Sequence, residues 1–405
     1  MPALYARRNP AAWFAAAALI GLPAIATAQA TQPLPLAHAG PYGTHVEATV
    51  PAYGDAIVEG RRLVAEFMTK RGVPGASVSM SVNGRLIWSE GFGLADVEQG
   101  VAVTPSTRFR SGSTAKPMSM AAAAVLHDQG KLNFDAVVQD LVPDFPVHSR
   151  PITFRMLAGM LGGLRHYRIG TDDFFNPTQY DNVLQYVETF KNDPLIAEPG
   201  ATYSYSSPGT NLQGAMTQAA GGKPFPVLMQ ELVFGPLGMV STTPDWNDAI
   251  IPNRTRYYER TSGRPTYRIR ETSWGQGEGG RGVLLNAPYA DNTNKFPSGG
   301  YLTTPNDMVT FGNAMLAPGF YSAATLNELV TEQHTSDGKP TGYGMNWSVG
   351  VKNGERTYSH GGSSVGGNSM LIVYPDRKAV FAMQTNLTDS DLGELPDQLA
   401  RLFFK

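Results

Sequence analysis

The stretch FRSGSTAKPMSMAAAAVL, from Phe109 to Leu126, begins with polar residues and continues as an alanine-rich run that favours a helix. Ser113 and Lys116 stand three positions apart at its start, a spacing that places both side chains on one helix face and within reach of each other. Serine is a weak nucleophile at its own pKa, and a lysine whose pKa is lowered by burial can take its proton. The stretch therefore predicts a helix that begins with a serine nucleophile and its base.

The serine–lysine pair also has a simpler explanation, in which Ser113 caps the helix and Lys116 is solvated. Roughly one or two such pairs are expected by chance in a chain of this length. Ser336 and Lys339 form a second pair with the same spacing, but in a turn-rich stretch where no helix would align them. We expect Asp337 and Lys339 to be solvated turn residues.

The composition limits the chemistry that is available. The 405 residues contain no cysteine, which excludes disulfides, thiolate metal sites and a cysteine nucleophile. The seven histidines are scattered and no metal-binding motif is present, so we expect no metal and no cofactor. The net charge is −2 and no basic run stands out, which argues against nucleic acid as a partner and favours a small-molecule or peptide substrate.

The N-terminus has the features of an export signal. Arg7 and Arg8 precede an apolar run at 11–26, and a small-x-small cleavage site follows at 28–30. The run is shorter than the roughly 20 residues that span a bilayer. We therefore predict that residues 1–30 are a signal peptide, that the protein is exported to the periplasm or secreted, and that no stable membrane span remains after cleavage.

Alternating apolar segments near both ends of the chain predict β-hairpins. One, at 76–89, contains Asn83-Gly84, a pair that favours a type I′ turn. The other lies at 369–384. Helical patterns occur at 56–70, 116–129, 181–190, 211–220, 309–316 and 391–403.

Strand signals are scarce in the middle of the chain, so these patterns predict an antiparallel sheet flanked by terminal helices and carrying a helical insertion. We expect an α/β lobe at 31–105 plus 298–405 and a mainly helical lobe at 106–297, with a ligand cleft between them. The glycine-rich stretch 275–282 predicts a loop.

The segments Phe109–Lys116, Tyr205–Ser207 and His360–Gly362 follow one another along the chain. Together these three motifs resemble the class C β-lactamases and penicillin-binding-protein-like serine hydrolases. The first is the segment Phe109–Lys116, followed by Gly130-Lys131-Leu132. That family has a second motif, Tyr-x-Asn, and a third, Lys-Thr-Gly or His-x-Gly, on a sheet edge. Tyr205–Ser207 and His360–Gly362 match these in the expected order. The resemblance implies a mixed α+β, or α/β, β-lactamase-like fold.

The resemblance also implies roles for individual residues. Ser113 would be the acylated nucleophile, Lys116 its general base or proton relay, and Tyr205 the group that shares or returns the proton. A phenol beside an ammonium ionises more easily than in water, which favours such a relay. His360 would stand at the cleft entrance and help to bind or polarise the substrate. The backbone N–H groups of Ser113 and Ser363 would form the oxyanion hole.

Four further positions would contact the substrate, namely Ser207, Gly361, Gly362 and His166. His166 could equally be a satisfied polar residue behind the cleft. Tyr167 and Trp347 could be cleft walls, although aromatic residues more often belong to the core. Ser207 departs from the family pattern, because a hydroxyl replaces the amide that contacts a substrate amide.

Other stretches resemble the branch of mitochondrial serine β-lactamase-like proteins and their bacterial relatives, which is regarded as peptidase-like and also lacks the asparagine. These stretches are WSEG at 88–91, RHY at 165–167, FKNDP at 190–194 and FGNAML at 311–316. We expect a serine hydrolase acting through an acyl-enzyme on an amide or peptide first, an ester second and a β-lactam third.

Several alternatives stay open. The protein could be a β-lactamase or D-alanyl carboxypeptidase proper, or a penicillin-binding-like sensor that is acylated with little turnover. An α/β-hydrolase is suggested by Gly362–Gly366, which fits Gly-x-Ser-x-Gly around Ser364. A strand pattern follows this stretch where a nucleophile elbow needs a helix, which counts against that class.

Overall fold

The computed structural model describes residues 45–168, 173–261 and 283–404. The predicted signal peptide at 1–30 and the glycine-rich stretch 275–282 lie outside these ranges. Among the helices of the described ranges, none has the length and apolar character that crossing a membrane requires.

Thirteen strands are present in the described ranges: β1 (His45–Thr49), β2 (Gly75–Val82), β3 (Arg85–Asp96), β4 (Val101–Ala102), β5 (Phe109–Arg110), β6 (Thr243–Pro244), β7 (Tyr258–Thr261), β8 (Val283–Asn286), β9 (Tyr301–Thr303), β10 (Ser348–Lys352), β11 (Glu355–Ser364), β12 (Gly367–Tyr374) and β13 (Ala379–Thr385). The α-helices of these ranges are α1 (Gly54–Arg71), α2 (Ala115–Asp128), α3 (Val138–Leu141), α4 (Phe154–Ala158), α5 (Val183–Val187), α6 (Ser207–Gly221), α7 (Phe225–Met229), α8 (Gly235–Leu237), α9 (Pro305–Asn313), α10 (Ala323–Val330) and α11 (Leu395–Arg401).

The main sheet is antiparallel, with the strand order β1-β3-β2-β13-β12-β11-β10 and with β4 paired to β3. Its strands come from both ends of the chain, and the two predicted hairpins are β2–β3 and β12–β13. Asn83 and Gly84 have φ angles of 51° and 73°, as a type I′ turn requires. The sheet therefore combines strands from the N-terminal and C-terminal parts of the described chain, and the segment between them is an insertion.

Alternation along β12 directs neighbouring side chains into two separate cores. Leu371 and Val373 belong to the core shared with α2, α6 and α9. Ile372 and Tyr374 face the opposite side, in the core covered by α1 and α11. The sheet is therefore a buried middle layer, and the predicted mixed α+β fold with terminal helices on an antiparallel sheet is confirmed.

Two helices are shorter than their sequence patterns predict. Helix α5 begins only after Asn182, whose side chain accepts a hydrogen bond from the Leu184 N–H and so caps the helix there. Helix α11 begins at Leu395, because Asp391 and Gly393 have φ angles of 49° and 51°, which a right-handed helix cannot include.

A small three-stranded sheet, in the order β5-β9-β6, lies next to the segment that leads into the cleft. Strand β5 leads through Ser111 into a 3₁₀ turn at Gly112–Thr114, and α2 follows directly. Helix α2 is buried along almost its whole length against α6 and other elements of the helical part. Its start is therefore fixed in position relative to β11 of the main sheet.

Candidate active site

Ser113 lies in the 3₁₀ turn before α2, where the backbone abuts strand β11. Gly112 has a φ angle of 50°, and a Cβ on it would lie 2.7 Å from the Ser363 carbonyl oxygen. A Cβ on Gly362 would lie 2.9 Å from the Ser113 nitrogen. Only glycine fits at either position, so the Ser113 and Ser363 backbones share one wall of the cleft.

Ser113 makes no capping hydrogen bond, and the residue that precedes α2 is Thr114. The explanation of Ser113 as a helix cap is therefore wrong. Its side chain is partly exposed and accepts a hydrogen bond from Lys116 Nζ at 3.1 Å. A hydroxyl in this position is accessible from the cleft and in contact with a base.

Lys116 is fully buried, and its Nζ also donates to Ser207 Oγ at 2.9 Å and to the Ser298 carbonyl oxygen at 2.9 Å. Within the described ranges it has no carboxylate partner. Burial lowers the pKa of Lys116 well below its ordinary value, because no opposite charge compensates for lost hydration. In the neutral amine, two N–H groups serve Ser207 and Ser298, which leaves the lone pair for the Ser113 hydroxyl.

Tyr205 lies above this pair, with its ring centre 5.0 Å from Lys116 Nζ. Burial raises the pKa of the Tyr205 phenol, while a hydrogen bond with Ser113 opposes the rise only in part. The expectation that the neighbouring lysine would ease ionisation is wrong, because burial is the largest effect on the phenol and raises its pKa. Tyr205 is therefore a protonated phenol, able to donate a hydrogen bond.

His166 lies on the cleft wall and not behind it. Its Nδ1 accepts a hydrogen bond from the Ser207 N–H at 3.2 Å, so its proton is on Nε2. Partial burial, with Lys116 and Arg165 nearby, lowers the pKa of His166 to about 4. The ring is therefore neutral at pH 7.

His360 does not stand at the cleft entrance. It is only 5% exposed and contributes nothing to the cavity wall, although Gly361 and Gly362 beside it do. Its Nδ1 donates to the Gly361 carbonyl at 2.6 Å, and its Nε2 accepts from the Tyr343 hydroxyl at 2.9 Å. Burial and Lys116 lower the pKa of His360 to about 3. Both ring nitrogens are thus occupied inside the protein.

A cavity of about 470 Å³ opens in front of Ser113. His166, Tyr205 and Ser207 line it from the helical part, and Gly361–Ser363 line it from β11. A third wall, Asp391–Gly393, follows the last strand of the sheet. Every predicted site residue except His360 and the buried Lys116 therefore borders this cavity.

Asn368 holds the third wall against the sheet. Its Nδ2 donates to Ser363 Oγ at 2.9 Å, and its Oδ1 accepts from the Ser390 N–H at 2.8 Å. The position of the chain after β13 is therefore tied to the strand that supplies the Ser363 N–H.

Sequence reasoning missed two contributors, Ser298 and Tyr343. Ser298 accepts from Lys116 through its carbonyl oxygen, and its hydroxyl lies 3.2 Å from the Tyr167 hydroxyl. Tyr343 holds His360. No motif marks these two residues, because their contacts join positions that are separated along the chain. Ser298 and Tyr167 are 131 positions apart, and Tyr343 and His360 are 17 apart. Tyr167 lines the cavity, whereas Trp347 is fully buried in the core.

The structure places two competing motifs, the Ser336–Lys339 pair and the Gly-x-Ser-x-Gly stretch around Ser364, where neither forms a catalytic site. Lys339 is exposed and its Nζ pairs with Asp337 at 2.8 Å, so the expectation of solvated turn residues is confirmed. Ser364 ends β11, and a turn and then β12 follow it. A strand–turn–strand segment is no nucleophile elbow, so the α/β-hydrolase alternative is wrong.

The sequence is similar to proteins of known families. The family model for beta-lactamases matches residues 61–403. The human mitochondrial serine beta-lactamase-like protein LACTB is 28% identical over an alignment of 417 residues, which covers 80% of this chain and 73% of that protein. A D-aminopeptidase of Gluconobacter oxydans is 27% identical, over 79% of this chain and 57% of its own length.

Solved structures share the fold. EstCE1, a hydrolase with promiscuous acyltransferase activity, has a TM-score of 0.70 at 22% identity and covers 88% of this chain and 100% of its own. An octameric penicillin-binding protein homologue from Pyrococcus abyssi has a TM-score of 0.68 at 20% identity, with 85% and 75% coverage.

Proposed function

The chain belongs to the beta-lactamase family of serine hydrolases, and from that premise we propose that it cleaves an amide, peptide or ester bond through an acyl-enzyme on Ser113. The observation that carries this proposal is the state of Lys116. Among the residues that the structure describes, this buried amine has no carboxylate partner. It lies 3.1 Å from a cleft-exposed serine hydroxyl, which is the geometry of a general base.

In the first step Ser113 Oγ attacks the substrate carbonyl carbon while its proton passes to the neutral Lys116 Nζ. The carbonyl oxygen gains the negative charge, and the N–H groups of Ser113 and Ser363 stabilise it in the oxyanion hole. The contact of Gly112 and Gly362 with the opposing backbones supports this pairing of donors.

Collapse of the tetrahedral intermediate needs a proton on the leaving nitrogen or oxygen. Tyr205 supplies it from its phenol and regains one from the Lys116 ammonium, so the amine returns to its neutral form. The raised pKa of Tyr205 supports a role as a protonated phenol that donates a proton to the leaving group, and not as a phenolate base. Water then adds OH to the acyl carbon and H to Ser113 Oγ, which releases the acid and restores the hydroxyl.

The substrate class that the site supports best is an amide or peptide, with esters second. Ser207 Oγ is engaged by Lys116 and offers no amide group to a substrate. The similarity to a D-aminopeptidase supports the same order. β-Lactams therefore rank third.

We also propose that residues 1–30 direct export to the periplasm or beyond. Arg7, Arg8 and the apolar run that follows support this address. Sequencing the N-terminus of the protein recovered from outside the cytoplasm checks it, and an intact N-terminus in the cytoplasmic fraction would contradict it.

The catalytic proposal is tested with a fluorophosphonate probe and p-nitrophenyl acetate. We expect labelling and steady turnover in the wild type, and loss of both in Ser113→Ala but not in Ser364→Ala. A single burst equal to the enzyme concentration would instead favour the acylated sensor. Fast hydrolysis of nitrocefin would overturn the low rank of β-lactams.

A further inference from the structure

The charges that border the cavity bear on which substrates the site takes. Of the described side chains that line the cavity, the one with a formal charge at neutral pH is Asp391. His166 is neutral because its pKa is about 4, and burial raises the pKa values of Tyr167 and Tyr205 above the ordinary value for tyrosine. The walls described here therefore present a net negative charge.

A substrate carboxylate would find no cation on these walls. His360 occupies the third-motif position, but it is neutral, buried and hydrogen-bonded at both nitrogens. Lys116 is buried beneath Ser113, and burial depresses its pKa. A carboxylate that enters the cavity would lose hydration without gaining an ion pair, which disfavours its binding.

Asp391 is held in place at the cavity wall. Its Oδ2 pairs with Arg71 at 2.6 Å, and the preceding Ser390 is hydrogen-bonded to Asn368 through both its N–H and its hydroxyl. The ion pair with Arg71, which does not line the cavity, orients the carboxylate and offsets part of its charge. The Asp391 side chain stays 61% exposed and accessible to a ligand.

We infer that Asp391 is a specificity-determining residue, which favours substrates that place an ammonium group in the cavity over those that place a carboxylate there. This inference rests on the proposed acyl-enzyme function of the same site. Asp391 attracts an ammonium group and repels a carboxylate. Both effects therefore raise the ratio of kcat/KM for the ammonium substrate to kcat/KM for the carboxylate substrate.

The test uses three chromogenic amides that differ only at the amino group: alanine p-nitroanilide, its N-acetyl form and its N-succinyl form, each in both configurations. The free amine is an ammonium near pH 7, the acetyl form is neutral and the succinyl form carries a carboxylate. We expect kcat/KM to fall in that order, by about tenfold from the first to the last. The inhibition constants of the same compounds against p-nitrophenyl acetate hydrolysis give the order for any compound that is not cleaved.

Asp391→Asn should reduce the kcat/KM ratio of the ammonium to the carboxylate substrate to one or below, because it removes the carboxylate and leaves Arg71 without this partner. Asp391→Lys should invert the ratio. Glu394→Gln is the matched control, because Glu394 is an exposed carboxylate three positions away that does not line the cavity. It changes the net charge equally and should leave the ratio as in the wild type.

An unchanged kcat/KM ratio in both Asp391 variants, or a wild type that prefers the succinyl compound, would overturn the inference. Ester turnover in the same wild type would still support the proposed function. A wild type that neither hydrolyses p-nitrophenyl acetate nor reacts with a fluorophosphonate would overturn the proposed function itself.

Discussion

Lys116 and Lys339 each follow a serine by three positions, yet their surroundings give them opposite chemistry. Lys339 is exposed and its ion pair with Asp337 raises its pKa. Lys116 is buried and pairs with no carboxylate of the described ranges, and burial lowers its pKa. The same residue type is therefore a solvated cation at one position and a candidate base at the other.

Lys116→Met should lower the acylation rate of Ser113 by about 10²- to 10⁴-fold, since methionine fills the space but cannot accept a proton. The rate of fluorophosphonate labelling measures this loss, and circular dichroism checks that the fold is kept. Lys339→Met is the control and should label like the wild type. Equal labelling of both variants would exclude Lys116 as the base.

The pH dependence of catalysis follows from the same lysine. Only neutral Lys116 accepts the Ser113 proton, so kcat/KM for a neutral ester should rise with pH through the depressed pKa of Lys116 and then level off. The raised pKa of Tyr205 keeps its phenol protonated well above pH 9. A rate profile from pH 5 to 9 measures this, and activity that falls with rising pH across that range would contradict it.

The neutral state of His360 should make stability depend on pH. Its pKa is about 3 in the folded protein and about 6.5 in the unfolded chain. As the pH falls below about 6.5 the unfolded chain takes up a proton that the folded protein does not. The free energy of unfolding should therefore fall, by about 1.4 kcal/mol per pH unit from this residue.

Urea unfolding between pH 4 and 7 measures that slope. His360→Gln should make that slope shallower, whatever its effect on the absolute stability. An identical slope in His360→Gln would show that the histidine is protonated in the folded state.

At the scale of elements, the close contact between the 3₁₀ turn and β11 sets the geometry of the proposed oxyanion hole. Gly361 and Gly362 are neighbours on β11 with different surroundings. A Cβ on Gly362 would lie 2.3 Å from the Ser111 carbonyl oxygen and 2.9 Å from the Ser113 nitrogen. A Cβ on Gly361 would meet the flexible end of Met370 at 3.4 Å and the Ser369 carbonyl oxygen at 3.9 Å, both ordinary contact distances.

Gly362→Ala should therefore push the turn away from β11 and lower kcat at least about tenfold, because a shift of about 1 Å at a catalytic group is costly. Gly361→Ala is the matched variant and should keep the Ser113 labelling rate of the wild type within about twofold. Equal losses in the two variants would point to a general effect on β11 instead.

At the scale of the whole molecule, Arg110 joins the insertion to the sheet. Its Nε donates to Asp245 at 2.8 Å and a second nitrogen donates to the Val365 carbonyl at 2.8 Å, in the turn after β11. Arg110 and Asp245 are 3% and 0% exposed, so the pair is buried. Removing Arg110 would leave the buried Asp245 carboxylate with only the more distant guanidinium of Arg254, at 3.8 Å, among the described ion pairs.

Arg110→Met should lower the free energy of unfolding by about 3–5 kcal/mol, as measured by urea denaturation. The double variant Arg110→Met with Asp245→Leu should recover part of that loss, because the buried carboxylate is removed together with its main partner. Arg377→Met, which breaks an exposed pair with Glu355, should cost less than about 1 kcal/mol. A similar small loss in Arg110→Met would show that the buried pair contributes little.

The sequence predicted those elements whose signals are local. The Asn83-Gly84 turn, the alanine-rich α2 and both hairpins follow from neighbouring residues, and the structure contains them. The predicted start of helix α11 was too early, because Asp391 and Gly393 adopt positive φ angles in the loop after β13 and therefore lie outside the helix. The spacing of Ser113 and Lys116 likewise follows from a single helix start.

What the sequence alone determined is therefore the antiparallel sheet with a helical insertion and the serine–lysine pair, since backbone propensity and residue spacing act over a few positions. The tertiary structure decided the electrostatic state of the site. Burial lowers the pKa of Lys116 and raises that of Tyr205. His360 is hydrogen-bonded to Tyr343 inside the protein and does not line the cleft. These outcomes depend on desolvation and on contacts between distant segments, which no local pattern of residues contains.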